Sequence, residues 1–499
     1  MNNPRDAAYW HSRAAQLRPL SQLLIDGHQR PAQAGGTFEC LSPIDGRTLA
    51  SVAAGESADV DAAVRAARAA FDSGSWSQQP PAARKRILLK FADLIEEHLE
   101  ELALLETLDV GKPIRDSLAV DVPSTVRCIR WYAEAVDKIY GEVAPTGPDA
   151  LALITREPMG VIGAIVPWNF PMIMAAWKIA PVLASGNSLV LKPSEKSPLS
   201  ALRLGQLALE AGLPPGVFNV VTGYGQTAGK ALAMHMDVDC IAFTGSTATG
   251  KSIMQYAGQS NLKRLSLECG GKSPNIVMAD YPDLPRAARA AAGAIFYNQG
   301  EMCSAGSRLL VQESIREQML EAIAAVAREM TPGDPLDPGT RLGALVDEPQ
   351  THRVLDYIDS GRSDGARLAI GGRRVRQDSG GCYVEPTVFD GVRPSMKIAR
   401  EEIFGPVLAT LSFSDLDEAI RIGNDVIYGL AAAVWTRDLT AAHRAARALR
   451  AGVVYVNCYD ADDITVPFGG YKQSGLGRDK SLHAFDKYTE LKTTWIELA

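Results

Sequence analysis

The chain has 499 residues, 46% of them hydrophobic and 22% charged, with a formal net charge of −7. Such a length suits roughly three domains with ample core, and an acidic balance without a Lys/Arg-rich run speaks against a nucleic-acid surface. Seven scattered cysteines lack C-x-x-C spacing and seven histidines lack H-E-x-x-H, so neither a disulfide framework nor a metal site is expected.

In chain order, "MNNPRDAAYWHSRAAQL" lacks the basic and apolar blocks of a secretory signal, which points to the cytoplasm. "DAAVRAARAAF" and "RILLKFADLIEEHLEELALLETL" carry apolar residues at helical spacing. "ALALITREP" (150–158) alternates loosely, as an edge strand does. The uncharged run Pro158 to Trp177 has the length of a membrane span. It contains Pro158, Pro167, Asn169 and Pro171, which suit a buried strand followed by a loop, so no membrane is expected. "VIGAIV" (161–166), "SLVL" (188–191), "FNVV" (218–221) and "CIAF" (240–243) read as strands separated by helices, hence parallel β-α-β units. One helix is expected to open at the cap Ser197 with Pro198 as its first residue, and to close at Gly212. A second alternation starts near Gly271 with "NIVMA", a helix from about Leu284 to Tyr297 and "SRLLVQ", and runs to about Lys480. "YTELKTTWIELA" (488–499) is again strand-like. With 150–158 it would form a small antiparallel element or an edge that pairs between subunits.

"FTGSTATGKS" (243–252) satisfies the P-loop pattern through Gly245, Gly250, Lys251 and Ser252, and "NIVMAD" offers Asp280 as a metal-holding acid. The same loop suits a dinucleotide, because any helix N-terminus after a small-residue turn favours an anion. That reading uses Ser246 and leaves Lys251 without an essential role. "GYGQTAG" (223–229) approximates the dinucleotide fingerprint after another strand. "LKPSEKSP" then puts Lys192 and Glu195 at a strand's carboxyl end, where an acid accepts ribose hydroxyls and repels a 2′-phosphate. Three such loops make a dinucleotide cleft rather than a triphosphate pocket.

"FYNQGEMCSAGSR" (296–308) sets Cys303 among small residues between helix and strand. A thiolate there needs backbone or cationic stabilisation. "LSLECGGK" offers Glu268, at a strand's end beside Gly270 and Gly271, as a mobile base for water. "VPWNFP" offers the Asn169 amide, between two prolines, to an oxyanion. Taken singly, each also reads as an ordinary loop residue.

"VPWNFP", "LKPSEKSP", "FTGSTATG", "LECGGK", "NQGEMCSAGSR", "EEIFGPV" and "PFGGYKQSG" together resemble, in order and spacing, the NAD(P)-dependent aldehyde dehydrogenase superfamily, from about residue 20 onward. Within it the likeness is to bacterial enzymes acting on γ-glutamyl-γ-aminobutyraldehyde or 4-guanidinobutyraldehyde. The resemblance implies an α/β fold. A Rossmann-like NAD-binding domain would span 1–138 and 159–270, a catalytic α/β domain 271–480, and a β-arm for oligomerisation 139–158 and 481–499. It implies a homo-oligomer, dimer or tetramer, a small-molecule aldehyde as substrate, and NAD as cofactor ahead of NADP. Cys303 would attack the aldehyde, Asn169 and the Cys303 N–H would hold the oxyanion, and Glu268 would activate the water that releases the acid. Glu402 and Phe404 would hold the nicotinamide ribose and ring, Lys192 and Glu195 the adenine ribose, and Ser246 the pyrophosphate. Gly225 and Gly229 would flank the adenine, and Ile165, Pro167, Trp168, Phe243 and Gly245 would complete the cofactor site. Asp479 stands where many relatives carry a Glu that serves a proton relay with Lys178, and its shorter side chain is expected to reach less far.

For the substrate, Asp460, Asp462 and Asp463 in "NCYDADDITVPFGG", with Asp121, are expected to line the entrance and suit a cationic tail. Ser124 replaces a larger apolar residue there, and Phe170, Trp177 and Phe468 are expected as apolar walls. A γ-glutamyl-linked aldehyde carries both charges and stays open. The alternatives are a broad-specificity aliphatic aldehyde dehydrogenase and, more remotely, a P-loop ATPase.

Overall fold

The computed structural model describes residues 5–498; residues 1–4 and Ala499, the outer ends of the first and last ranges above, lie outside it. Among the described residues the strands form two large sheets and three small ones. The first sheet grows from the short apolar runs of the first half. Val161–Ile165, Ser188–Lys192, Phe218–Val220, Cys240–Gly245 and Arg264–Cys269 lie parallel, and the first three are buried at every position. Uninterrupted apolar runs suit a sheet covered on both faces, where no residue has to meet water.

The chain moves outward from Val161–Ile165 through Ser188–Lys192 to Phe218–Val220, then returns to the opposite side with Cys240–Gly245. This reversal opens a crevice at the carboxyl ends of two strands, after Ile165 and Gly245. Open α/β sheets bind their ligands at such a point.

In the second sheet Pro274–Val277, Arg308–Gln312, Thr387–Asp390, Val407–Phe413, Ala431–Trp435 and Val453–Val456 are parallel, with Arg367–Ile370 antiparallel at one edge. One strand crosses between the two large units. Gly475–Leu476, from the range expected for the second domain, pairs antiparallel with the first sheet and sets Gly475 opposite Glu268. The two leftover strand-like segments pair with each other, since Ala150–Pro158 and Thr489–Glu497 are antiparallel along their length, with Glu142–Ala144 on the far side. Leu491, Trp495 and Ile496 are exposed on the outer strand. No helix among the described residues is long and apolar enough to cross a membrane.

The stretch with helical spacing is helical, as two helices, Pro81–Glu97 and Leu99–Val110, that meet at His98. One helix reading needs correction. The helix expected to be capped by Ser197 starts at Leu199, and the Ser197 hydroxyl instead reaches the Trp168 carbonyl at 3.4 Å. Its Leu199 N–H is taken at 3.0 Å by Asp109, a carboxyl from a neighbouring helix that burial pushes up to about 7. A cap delivered across the fold leaves no local signal. Gly212 does end that helix, at φ +101°.

Candidate active site

At the crevice lies a cavity of about 570 Å³ whose wall takes residues from both large sheets. Asn169, Glu268 and Cys303 all face it. Asn169 follows Val161–Ile165, Glu268 sits on Arg264–Cys269, and Cys303 precedes Arg308–Gln312.

Asn169 is buried and pinned: its Nδ2 donates to the Glu301 carbonyl at 2.8 Å, and Asn298 Nδ2 donates to the Asn169 carbonyl at 3.1 Å. That leaves the second amide hydrogen for another acceptor. The segment supplying these contacts is strained. Asn298 and Gln299 both have positive φ, 46° and 57°. The surroundings hold them there: Gln299 Oε1 accepts the Gly343 N–H at 2.9 Å, and the Glu301 carboxyl accepts that of Val346 at 3.0 Å. Glu301, sealed in the interior with its carboxyl driven well up by burial, was not legible as part of the site.

The Cys303 thiol is pushed well above its ordinary range, first by burial, then by the carboxylates of Glu268, Glu402 and Asp460; the Ser304 N–H pulls the other way. None of these neighbours is a cation, so the expected stabilisation is backbone only. At neutral pH the resting group is a thiol that must pass its proton to a base.

Glu268 is no surface loop charge. It lies within its strand, 4% exposed, with Oε1 lacking any hydrogen-bond partner. Burial lifts its carboxyl to about 8, Asp479 adds to the rise, and Lys178, Lys487 and Arg478 oppose it. A base with that value gains and loses protons near physiological pH. The neighbouring glycines explain the close assembly. A Cβ on Gly270 would run into the Glu402 carboxylate, and one on Gly271 would stand 2.7 Å from the Cys303 carbonyl oxygen.

On the cofactor side Pro167, Trp168, Gly245, Ser246, Glu402 and Phe404 line the same cavity. Glu402 accepts the Gly271 N–H at 3.1 Å, and the low-dielectric surroundings of its cavity-facing carboxyl raise it to about 7. Phe404, at φ +61°, stands edge-on to Trp168 with ring centroids 5.2 Å apart. Gln350 and Arg353, which the sequence reading overlooked, donate to the Phe404 and Glu402 carbonyls at 2.6 and 2.9 Å. Ile165 and Phe243 are not wall residues: both are buried in their strands, with the Phe243 ring under Gly245.

Lys192, Glu195, Gly225 and Gly229 lie outside the cavity, around the neighbouring strand ends, where Lys192 Nζ meets Glu195 at 3.0 Å. A Cβ on Gly225 or Gly229 would meet no protein atom within 4 Å, so open space lies beside both. Ser246 caps the helix Thr247–Gln259, accepting the Thr249 N–H at 3.2 Å, which leaves first-turn N–H groups for an anion. An acid beside one strand end, a helix N-terminus at the switch point and the Glu402 carboxylate fit a dinucleotide. Asp280 is engaged within the protein: one oxygen takes the Thr436 hydroxyl at 2.8 Å and the N–H groups of Arg437 and Asp438, both at 3.2 Å, while the other has no partner among the described residues. No cluster of metal-ligating side chains occurs among the described residues.

At the far end Ser124, Phe170, Trp177 and Phe468 line the wall with Asp460 and Asp462. Asp121 does not: it is fully buried, held by Lys112 at 2.7 Å, and that ammonium also lies 4.2 Å from the centre of the Phe170 ring. Asp463 turns back on the Thr465 N–H and hydroxyl, at 2.8 and 2.6 Å. Asp462 is ion-paired with Lys480. Asp460, like Asp463, has no ion-pair partner among the described residues; it accepts the Ser304 hydroxyl at 3.3 Å, and its carboxyl is raised by the surrounding protein and by Asp462. Lys480 and Arg127 also line the cavity, so the entrance is of mixed charge rather than acidic. Behind it Asp479 reaches Lys178 despite its shorter side chain, and its other oxygen holds Lys487.

The family model described as the aldehyde dehydrogenase family matches residues 30–494. The chain is 55% identical over 491 residues to the NADP/NAD-dependent aldehyde dehydrogenase PuuC of Escherichia coli K12, covering 98% of each. The solved gamma-glutamyl-gamma-aminobutyraldehyde dehydrogenase of Burkholderia cenocepacia J2315 is 62% identical, with a TM-score of 0.98 over 99% of this chain and 100% of that one. An indole-3-acetaldehyde dehydrogenase from P. syringae, solved in complex with NAD+, is 60% identical with the same TM-score and coverage.

Proposed function

The chain belongs to the aldehyde dehydrogenase family and oxidises aldehydes with NAD, and on that premise we propose that its substrate is an amine-derived aldehyde charged at the end remote from the carbonyl. One observation carries this reading: Asp460 lines the cavity wall beside Ser304 and takes part in no ion pair among the described residues. A carboxylate so placed favours an ammonium or guanidinium tail. Similarity to the gamma-glutamyl-gamma-aminobutyraldehyde enzyme supports it.

In the proposed reaction Cys303 Sγ bonds to the carbonyl carbon while its proton passes to Glu268. The Asn169 amide and the Cys303 N–H donate to the resulting oxyanion. When bound, NAD would supply the acceptor for the hydride leaving this carbon, and a thioester on Cys303 would remain. Once Glu268 has passed that first proton to solvent, its carboxylate takes a proton from the water that cleaves the thioester and returns it to the departing Cys303 sulfur, releasing the acid and the thiol. Glu402 and Phe404 would hold the nicotinamide end, Ser246 the pyrophosphate, and Lys192 with Glu195 the adenine ribose. The exposed edge Thr489–Glu497 would join subunits into a dimer or tetramer, in the cytoplasm.

Initial rates of NADH formation on 4-guanidinobutanal, γ-glutamyl-γ-aminobutanal, 4-aminobutanal and propanal test the substrate class. A kcat/KM advantage for the charged aldehydes over propanal is expected. Equal values would select the second reading, a broad-specificity enzyme, which the walls Phe170, Trp177 and Phe468 and the likeness to the indole-3-acetaldehyde enzyme favour.

A further inference from the structure

Lys480 is a cation where only acids were expected. Its side chain is 2% exposed, yet it borders the cavity between Trp177 and Phe468, whose ring centres lie 5.6 and 5.9 Å from Nζ. An ammonium has three N–H donors, and the hydrogen bond that Nζ makes among the described residues is to Asp462. The backbone that presents it is costly: Lys480 and Ser481 both have positive φ, 62° and 52°. Four hydrogen bonds fix that conformation. Phe468 and Asp479 exchange N–H and carbonyl at 2.8 and 2.7 Å, Ser481 N–H reaches the Ile464 carbonyl at 2.8 Å, and the Tyr132 hydroxyl reaches the Ser481 carbonyl at 3.0 Å. Strain held in this way at the cavity wall motivates a functional reading of the position.

The partner is less fixed than the lysine. The Asp462 side chain is 52% exposed, so water can replace Lys480 beside it when a substrate group arrives. Asp460 stands on the same wall, and Arg127, whose guanidinium donates to Ser124 at 3.1 Å, supplies a second cation. A purely cationic tail would meet two repelling groups beside its attracting ones, whereas a tail carrying both charges satisfies all four.

We propose that Lys480 is a specificity-determining residue that takes a carboxylate at the remote end of the aldehyde, displacing Asp462, which turns to the substrate's ammonium. The preferred substrates are then aldehydes with a zwitterionic, amino-acid-like tail. This rests on the aldehyde dehydrogenase reading and deepens it.

The test compares kcat/KM for γ-glutamyl-γ-aminobutanal with that for propanal in the wild type, in Lys480→Met and in Lys480→Arg. Loss of one charge-assisted hydrogen bond in an enclosed site lowers that ratio about 10- to 100-fold in Lys480→Met, mostly through KM, and Lys480→Arg recovers most of it. A ratio within threefold of wild type in Lys480→Met would overturn the proposal. If that variant does not fold, the wild type is assayed on the γ-glutamyl substrate with its carboxylate converted to a carboxamide. A drop of about tenfold or more is expected there, and an unchanged kcat/KM overturns the proposal equally. Absence of NADH formation on every aldehyde, propanal included, would instead count against the underlying activity.

Discussion

Lys178 and Asp479 form a buried ion pair, 1% and 2% exposed, and the second Asp479 oxygen is taken by Lys487, itself 8% exposed. Two lysines thus share one carboxylate behind Glu268, and Asp479 is held below the usual carboxylate range by their charges despite its burial. Removing one partner of such a buried set leaves uncompensated charge, typically a loss of about 3–5 kcal/mol. Asp479→Asn is expected to lower Tm markedly. It also removes a negative charge that raises Glu268, so the acid limb of the kcat–pH profile should move to lower pH. A limb that stays in place would disconnect Asp479 from the base.

Glu268 has to be ionised to take a proton from water, and its carboxyl sits near 8. Deacylation should therefore quicken as pH rises towards 8 and level off above it. In Glu268→Gln the thioester is expected to accumulate, giving a burst of NADH followed by slow turnover, which stopped-flow absorbance would resolve. Stability gives an independent check. A carboxyl raised in the folded state contributes stability at pH below its unfolded value near 4.5, and that contribution is lost as pH rises through 8. Glu268→Gln should therefore gain in Tm over the wild type at pH 9 relative to pH 5.

Cys303→Ala should abolish NADH formation, by on the order of a thousandfold or more, with NAD binding retained by calorimetry. Residual activity near wild type would remove Cys303 from the chemistry.

Glu195 bears on cofactor choice. Its carboxylate is paired at 3.0 Å with Lys192, and if it holds the adenine ribose as proposed, a 2′-phosphate would bring a second negative charge beside it. Glu195→Gln should raise kcat/KM for NADP about tenfold relative to NAD. An unchanged NADP/NAD ratio would place the 2′-position elsewhere.

Lys251→Ala separates the dinucleotide reading from the P-loop. Lys251 is exposed on the helix that Ser246 caps. The substitution should change NAD-dependent rates by less than about threefold, since an exposed side chain away from such features contributes little. ATP binding that depends on Lys251 would argue the reverse.

Much of the fold was legible because its signals are local. "VIGAIV", "SLVL", "FNVV" and "CIAF" became strands within a residue or two, since continuous apolar runs have few places to go except a covered sheet. Asn169, Glu268 and Cys303, named from motif and resemblance, line one cavity. What failed was charge partnership, which depends on residues distant in sequence. Asp121 and Asp462 read as open acids, but Lys112 and Lys480 claim them. Ser197 read as a cap, but Asp109 arrives from another helix. Nothing in "GRDKS" indicates that one of its lysines borders the cavity between two aromatic rings.

The strand Gly475–Leu476 has a consequence for the order in which the molecule can be made. It places Gly475 against Glu268, the residue proposed as base, so the strand bearing that carboxyl gains its outer neighbour only after the whole second sheet has been synthesised. A nascent chain that has just completed Arg264–Cys269 holds its crevice strands, yet the flank of Glu268 is bare. Hydrolytic competence on the ribosome therefore cannot precede the synthesis of Gly475, and a fragment ending near residue 270 would leave the edge beside Glu268 unpaired.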